Sequence, residues 1–197
     1  RREGNTIFYH RGAEPADQLR QALFDAVDRT ELPNELLSRV QKVHTHRHNL
    51  SAAFFADNAH RFADQQALIS TADAYAGTIA EVVGHFSLKD GVVLEVGPGN
   101  GEVLERLAPQ FRELVGIDDS PIMIEQAVQR IGKFPNVRLR KRNFFALPSM
   151  KKYLVVVAAM VVHHMPSPQR FFRHAHDLVK ADGLLVVAEL CRHDNDW

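Results

Sequence analysis

Val92-Val93-Leu94-Glu95-Val96-Gly97-Pro98-Gly99-Asn100-Gly101 decides how the rest of this 197-residue chain is read. A run rich in valine and leucine ends in a turn with glycine at three alternate positions. The run has the length of a buried strand. The glycines let the backbone turn tightly and let a ligand come closer than a Cβ would allow. A helix is expected directly afterwards, over about Gly101–Ala108, and its first N–H groups have no partner inside the helix. In doubly wound sheets the crevice at such a strand end is where ligands sit.

Outward from this turn, apolar runs of strand length alternate with helical segments. Strands are predicted at Val92–Val96, Leu114–Ile117, Val137–Leu139, Leu154–Ala158 and Leu184–Ala188. Helices are predicted at about Gly101–Ala108, Pro121–Ile131 and Gln169–Val179. Ser120-Pro121 is a favourable start for the second, because Ser is a good N-cap and Pro suits the first helical position. The alternation implies an α/β fold: an open, doubly wound, mostly parallel Rossmann-like sheet with helices on both faces.

Two acids sharpen the chemistry. Glu95 stands just before the glycines, and Asp118 ends the next strand, Leu114-Val115-Gly116-Ile117. A carboxylate at that second strand end can accept two hydrogen bonds from a ribose diol. The dinucleotide alternative fits less well. Its turn reads G-x-G-x-x-G without a preceding acid, whereas here the glycines are Gly97, Gly99 and Gly101 behind Glu95.

Glu95-Val-Gly-Pro-Gly-Asn-Gly101 resembles the first motif of the class I S-adenosylmethionine (SAM)-dependent methyltransferases, and Gly116-Ile-Asp-Asp-Ser-Pro-Ile-Met123 resembles the second. Asn143-Phe144-Phe145-Ala-Leu-Pro148 is similar to the adenine-contacting turn after the third strand. The segment from Val155 to Pro168 is similar to the fourth strand and its loop, and Leu178 to Glu189 to the last helix, turn and strand. The resemblance implies SAM as cofactor and a methyl acceptor, expected to be a small molecule. It implies that Gly97, Gly99, Asn100 and Gly101 admit the cofactor's methionine end and ribose. Glu95 would orient the amino group, and Asp118 would hold the ribose hydroxyls with Asp119 beside it. Ile117, Met123 and Phe144 would line the adenine, Asn143 would lie near its amino group, and Ala159 would be a further cofactor-binding residue.

The chain departs from the family pattern in three places. Asn143 stands where Asp is common, and its carbonyl oxygen can still accept a hydrogen bond. Tyr153 is followed directly by Leu154, where an aromatic–Asp pair is usual. Five strands are predicted where the family has seven, so the core is expected to lack its last strands, leaving the edge of Leu184–Ala188 open to pairing.

His163 and His164 follow the fourth strand, where acceptor-facing residues lie in such folds. Either is a candidate general base, since histidine titrates near neutrality. The alternative, preferred at this stage, is that they satisfy backbone groups at the strand end. An activated sulfonium donor needs alignment more than acid–base help. His44-Thr-His46-Arg-His48 puts His44 and His48 on one helical face. A solvated face is preferred to a metal site, and no metal is expected. Arg138-Leu-Arg140-Lys141-Arg142 is read as a charged edge strand rather than a phosphate-binding run.

Composition limits the alternatives. Lys+Arg and Asp+Glu both number 24, so the formal net charge is zero and a whole-chain grip on nucleic acid is not supported. No apolar run approaches a membrane span of roughly 18–20 residues, so no membrane partner is expected. The single cysteine, Cys191, excludes an internal disulfide framework and fits a reducing, cytoplasmic setting.

The amino-terminal part has another texture. Residues 1–14 read as a strand-like tail, and Arg1 to Arg11 resemble the wing of an ArsR-type winged-helix regulator. Residues 15–86 read as a helical region, a linker, cap or dimerisation element, on the spacing of Leu19, Leu23, Ala26 and Val27, of Leu36, Leu37 and Val40, of Ala52, Phe55, Ala56 and Ala59, and of Tyr75, Ile79, Val82, Val83 and Phe86. Residues 87–197 are the expected SAM-binding core. Arg1 in place of Met is read as a sign of a fragment, a processed chain or an incomplete one; the wing resemblance implies the carboxyl-terminal part of a longer protein. The resemblance then leaves a second function open, a SAM-sensing module of a transcription regulator with no turnover of its own. Nucleic acid would be a partner only through an upstream winged helix, and a homodimer would form through the helices.

Overall fold

Val93 and Leu94 are successive residues of one strand, so their side chains leave it on opposite faces, and each enters a different apolar layer. The structure is a computed structural model that describes residues 2–3, 6–7, 18–43, 45–46, 72–86, 90–165 and 167–189. Two units, Arg1–His44 and Thr45–Trp197, are described separately.

In the first unit, strands β1 (Arg2–Glu3) and β2 (Thr6–Ile7) pair antiparallel. Helix α1 spans Gln18–Asp28, and residues 34–43 are helical as well. Leu19, Leu23 and Val27, the predicted stripe of α1, are exposed. The rest of the wing resemblance, the stripe from Ala52 to Ala59, and His44 and His48 lie outside the described residues.

The second unit is the α/β core. Its described elements are α2 (Ala72–Gly84), β3 (Val92–Val96), α3 (Glu102–Leu107), β4 (Glu113–Asp118), α4 (Pro121–Ile131), β5 (Val137–Lys141), β6 (Tyr153–Ala159), α5 (Pro168–Leu178) and β7 (Val179–Ala188). The sheet order is β5-β4-β3-β6-β7, and every neighbouring pair is parallel. The chain builds outward from β3 through β4 to β5, then returns to place β6 on the other side of β3. This reversal opens a crevice at the carboxyl ends of β3 and β6.

Val93, Leu114, Val155 and Val157 form one layer with Ala76, Ile79 and Val83 of α2 and with Val103, Leu104 and Leu107 of α3. Leu94, Val96, Val115, Ile117, Val156 and Ala158 form the other with Phe171, Ala175 and Leu178 of α5. Near-continuous apolar strands are what a sheet covered on both faces needs. Helix α2 thus packs into the same apolar layer as the sheet. The reason is that Ala76, Ile79 and Val83 are an i, i+3, i+7 stripe that completes the sheet's cover.

Strand β5 is an edge strand, and Arg138, Arg140 and Lys141 are exposed on it, in agreement with the charged-edge reading. Among the described residues β7 forms the opposite edge. It starts earlier than predicted. Tyr153 pairs with Val179 but Val155 with Leu184, so Lys180–Gly183 are taken up by an irregularity in the ladder. Among the described residues no helix is long and apolar enough to cross a membrane, and no group of three or more His, Cys, Asp or Glu side chains is arranged to hold a metal ion.

Candidate functional site

The glycine turn is left-handed at each glycine: φ is 66° at Gly97, 55° at Gly99 and 85° at Gly101. The turn is tied down by Gly97 N–H donating to Ile117 O at 2.9 Å and Gly101 N–H donating to Pro98 O at 2.7 Å. Gly97 has a packing reason besides its φ. A Cβ there would stand 2.6 Å from Val161 Cγ2, so the turn lies directly against the chain leaving β6. Gly101 is the N-cap of α3, at the start of the predicted helix, and Asn100 is half-buried in the turn.

Glu95 is 1% exposed, and its Oε2 has no hydrogen-bond partner. Burial, reinforced by the charge of Glu102, raises its carboxyl to about pKa 8, against the opposing hydrogen bond from the Leu104 backbone. A buried polar atom left without a partner is costly. A ligand bringing an ammonium or N–H donor would relieve it.

Asp118 ends β4, one strand over. Burial raises its carboxyl to about pKa 6, although Ser120 N–H donates to its Oδ1 at 2.8 Å and works the other way. One local difference from the sequence reading lies beside it. Ser120 sits at the N-cap of α4, but its side chain makes no capping bond. Pro121 opens the helix as predicted.

Asn143 lies past the end of β5. Its Oδ1 accepts from Phe145 N–H at 3.0 Å, and its Nδ2 donates to Asp119 Oδ2 at 3.5 Å, a long contact. Asn143, Asp119 and Asp118 therefore meet at the carboxyl ends of β4 and β5, which stay joined by Arg142 N–H donating to Asp118 O at 2.7 Å. Ile117 and Met123 are buried beside them. Phe144 is buried too, but its ring is shared with the core. It packs on Phe171 at 5.0 Å between centroids and edge-on to His174 at 4.9 Å. Ala159 closes β6, level with the glycine turn.

After Ala159 the backbone changes hand. Met160 has φ 56°, a left-handed conformation that costs a non-glycine residue about 1–2 kcal/mol. Its N–H donates to Ala188 O at 2.8 Å, tying the end of β6 to the end of β7. The short turn Val162–His164 follows. The Glu189 carboxylate accepts two bonds from this turn: Val162 N–H donates to Oε1, and His163 Nδ1 lies 2.7 Å from Oε2. The His163 and His164 rings stand 3.9 Å apart. Partial desolvation, with His163 as neighbour, lowers His164 to about pKa 4, although its side chain keeps an exposed face. Glu189 is the residue that sequence reading passed over as a strand end. The available signal was an acid one position past an apolar strand, but its partner stands 26 positions away.

Residues 41–197 match the family model of the methyltransferase domain. The chain is 31% identical to a ubiquinone biosynthesis O-methyltransferase of Azorhizobium caulinodans, over 53% of this chain and 42% of that protein. It is 33% identical to a tRNA U34 carboxymethyltransferase of Tolumonas auensis, over 55% of this chain and 35% of that one. The chain spans less than half the length of these relatives. Among solved structures it is similar to the Haemonchus contortus phosphoethanolamine N-methyltransferase 1 in complex with phosphoethanolamine and S-adenosylhomocysteine. The TM-score is 0.62 at 19% identity, covering 75% of this chain and 33% of that one, a likeness of fold. Glycine turn, strand-end acids, sheet order and family match agree: the chain belongs to the methyltransferase-domain family.

Proposed function

We propose that the carboxyl ends of β3, β4 and β6 bind S-adenosylmethionine and that the chain transfers its methyl group to a small-molecule acceptor. The observation that carries this reading is the buried, unpartnered Glu95 oxygen on β3 together with the partly buried Asp118 on β4. These are two desolvated carboxyls that a ligand with an amino group and a ribose diol would satisfy. The relatives share the methyltransferase core but are named for different acceptors, which supports the cofactor half and leaves the acceptor to this chain's own residues.

SAM, when bound, supplies a methyl group on a positively charged sulfur, an activated donor. Glu95 would hold the amino end and Asp118 the ribose hydroxyls. The Gly97–Gly101 turn gives room for close approach and the backbone N–H groups of Gly99 and Asn100, those of Gly97 and Gly101 being used within the chain. Ile117 and Met123 offer apolar surface to an adenine, with Asn143, Phe144 and Asp119 at the adjoining turn; Ala159 ends β6, level with the glycine turn.

Titration calorimetry with S-adenosylmethionine and S-adenosylhomocysteine tests the reading, and saturable binding of both is expected. Asp118→Ala should weaken each by more than about tenfold, since it leaves ribose hydroxyls without their acceptor. Absence of binding by the folded chain would overturn the proposal, and an unchanged affinity in the variant would remove Asp118 from the site.

A further inference from the structure

From Gln126 to His176 the chain has ten Lys or Arg and no Asp or Glu. A net charge of zero therefore describes the whole chain and not this stretch. Two of its cations are neutralised by acids from elsewhere: Arg130 pairs with Glu102 at 3.1 Å and with Glu105 at 3.0 Å, and Lys133 with Glu105 at 2.8 Å. Arg138, Arg140, Lys141 and Arg142 differ. They are exposed, and among the described residues no carboxylate lies within ion-pairing distance of them.

Their direction follows from the strand. Val137 and Leu139 pack into the layer of α2 and α3, so Arg138 and Arg140 leave β5 on the opposite face. Tyr153, a buried member of the other layer, feels two of these charges. Burial raises its hydroxyl, Arg140 and Arg142 oppose the rise, and Glu113 adds to it without forming an ion pair with either. Helix α5 covers this same face. Its exposed Arg170 stands over the ring of Phe145, 4.5 Å from the centroid, and Phe145 lies three residues after Arg142. Arg173, one turn further along α5, is exposed too. Charge at a sheet edge prevents pairing with another chain, and that accounts for cations on β5. It does not account for their continuation onto α5 beside an aromatic ring, nor for the lack of acids among them.

From this arrangement we infer that the outer face of β5 and the adjoining start of α5 bind single-stranded nucleic acid, with Arg138, Arg140 and Arg142 on successive phosphates, Arg170 and Arg173 continuing the row, and Phe145 offering a base a surface to stack on. Same-face residues of a strand stand roughly 6.6 Å apart, a step similar to that between phosphates of an extended strand. Guanidinium suits the task, because its planar fork gives a phosphate two N–H donors. A basic track with an aromatic ring beside it is what sequence-tolerant single-strand sites use. An acidic peptide would satisfy the charges and leave the ring without a partner, and a duplex offers no unstacked base. The surface uses none of the side chains assigned to the cofactor, and the inference does not depend on methyl transfer.

Fluorescence anisotropy of the full chain with a labelled oligouridylate of about twelve nucleotides tests it, without S-adenosylmethionine, between about 50 mM and about 200 mM salt. Saturable binding is expected, with log K falling against log salt at a slope of about −2 to −3.5. Arg138→Gln with Arg140→Gln should weaken binding about tenfold or more at the lower salt and take about 1.4 off the slope. Arg130→Gln with Lys133→Gln removes the same charge from the paired cations of α4 and should leave the affinity within about twofold. Arg173→Gln alone should take about 0.7 off the slope, so the location is tested on α5 even where the strand variant unfolds. Phe145→Leu should weaken binding about fivefold or more and leave the slope unchanged. No saturable binding by the wild type at the lower salt, or equal losses in the two double variants, overturns the surface. Equal or tighter binding of an oligoglutamate or of a duplex of the same length overturns the assignment to a single strand. S-adenosylhomocysteine binding is measured separately, so failure here leaves the proposed function standing.

Discussion

Replacing Gly97 by alanine perturbs two things at once, and the structure separates them. The residue sits at φ 66°, where an L side chain costs about 1–2 kcal/mol. Its Cβ would also lie 2.6 Å from Val161 Cγ2 and 3.2 Å from Val161 Cβ, well inside ordinary contact. Val161 is a half-buried β-branched residue with few rotamers to retreat into, so relief of the overlap costs about 1–3 kcal/mol more. A total of about 2–5 kcal/mol is expected. Urea unfolding followed by circular dichroism reads it as a midpoint lowered by about 1–2 M. The companion variant Val161→Ala removes the nearest atom, Cγ2, and keeps Cβ. In the double variant most of the packing part should be relieved while the left-handed part and the Cβ contact remain, giving a coupling of about 1–2 kcal/mol. A wild-type midpoint for Gly97→Ala would refute the conformational reasoning. Strict additivity of the two costs would refute the contact between the glycine turn and the chain leaving β6.

Two further outcomes follow from the buried groups. Glu95 keeps its proton in the folded chain up to about pH 8 but releases it near 4.5 when unfolded. Its contribution is therefore fully present below pH 4.5 and is lost as pH rises through 8. Asp118 titrates below that window at about 6, and His164, lowered to about 4, acts in the opposite sense below 6.5. Between pH 6.5 and 8 stability should fall by on the order of 2 kcal/mol through Glu95. Glu95→Gln should flatten that slope in urea titrations at the two pH values, and an equal slope in both proteins would contradict the burial argument. Phe171 is fully buried and stacks with Phe144 under the Asn143 turn. Phe171→Ala should cost about 3–5 kcal/mol, and a loss under 1 kcal/mol by the same unfolding assay would show that the second apolar layer collapses around the gap.

Several elements were legible in the chain because their cause is local. The strand at Val92–Val96 and the helix at Pro121–Ile131 fall where predicted, the first from an unbroken apolar run and the second from Ser-Pro and helical spacing. The glycines' need for positive φ was readable for the same reason. The start of β7 was not. Val179 leaves α5 and pairs at once with Tyr153, and the extra residues up to Gly183 fit only because the partner strand tolerates a register shift. The place of α2 was not readable either. Its apolar stripe is as compatible with a separate helical region as with the sheet's cover, and only packing against Val93 and Val155 decides between them.

By itself, the sequence determined the βα order, the glycine turn and the two acids ending consecutive strands, because strand period, turn chemistry and short-range spacing are written in neighbouring residues. Tertiary structure alone decided what those residues meet. It brings Val161 onto Gly97 and buries Glu95 with an oxygen unpartnered. It gives Phe144 to the core and sets Glu189 against His163 across 26 positions. The physical reason is that strand adjacency is set by sheet order. β6 and β7 become neighbours only when two apolar layers close on both faces of the sheet, and no local signal specifies which acid then stands beside which base.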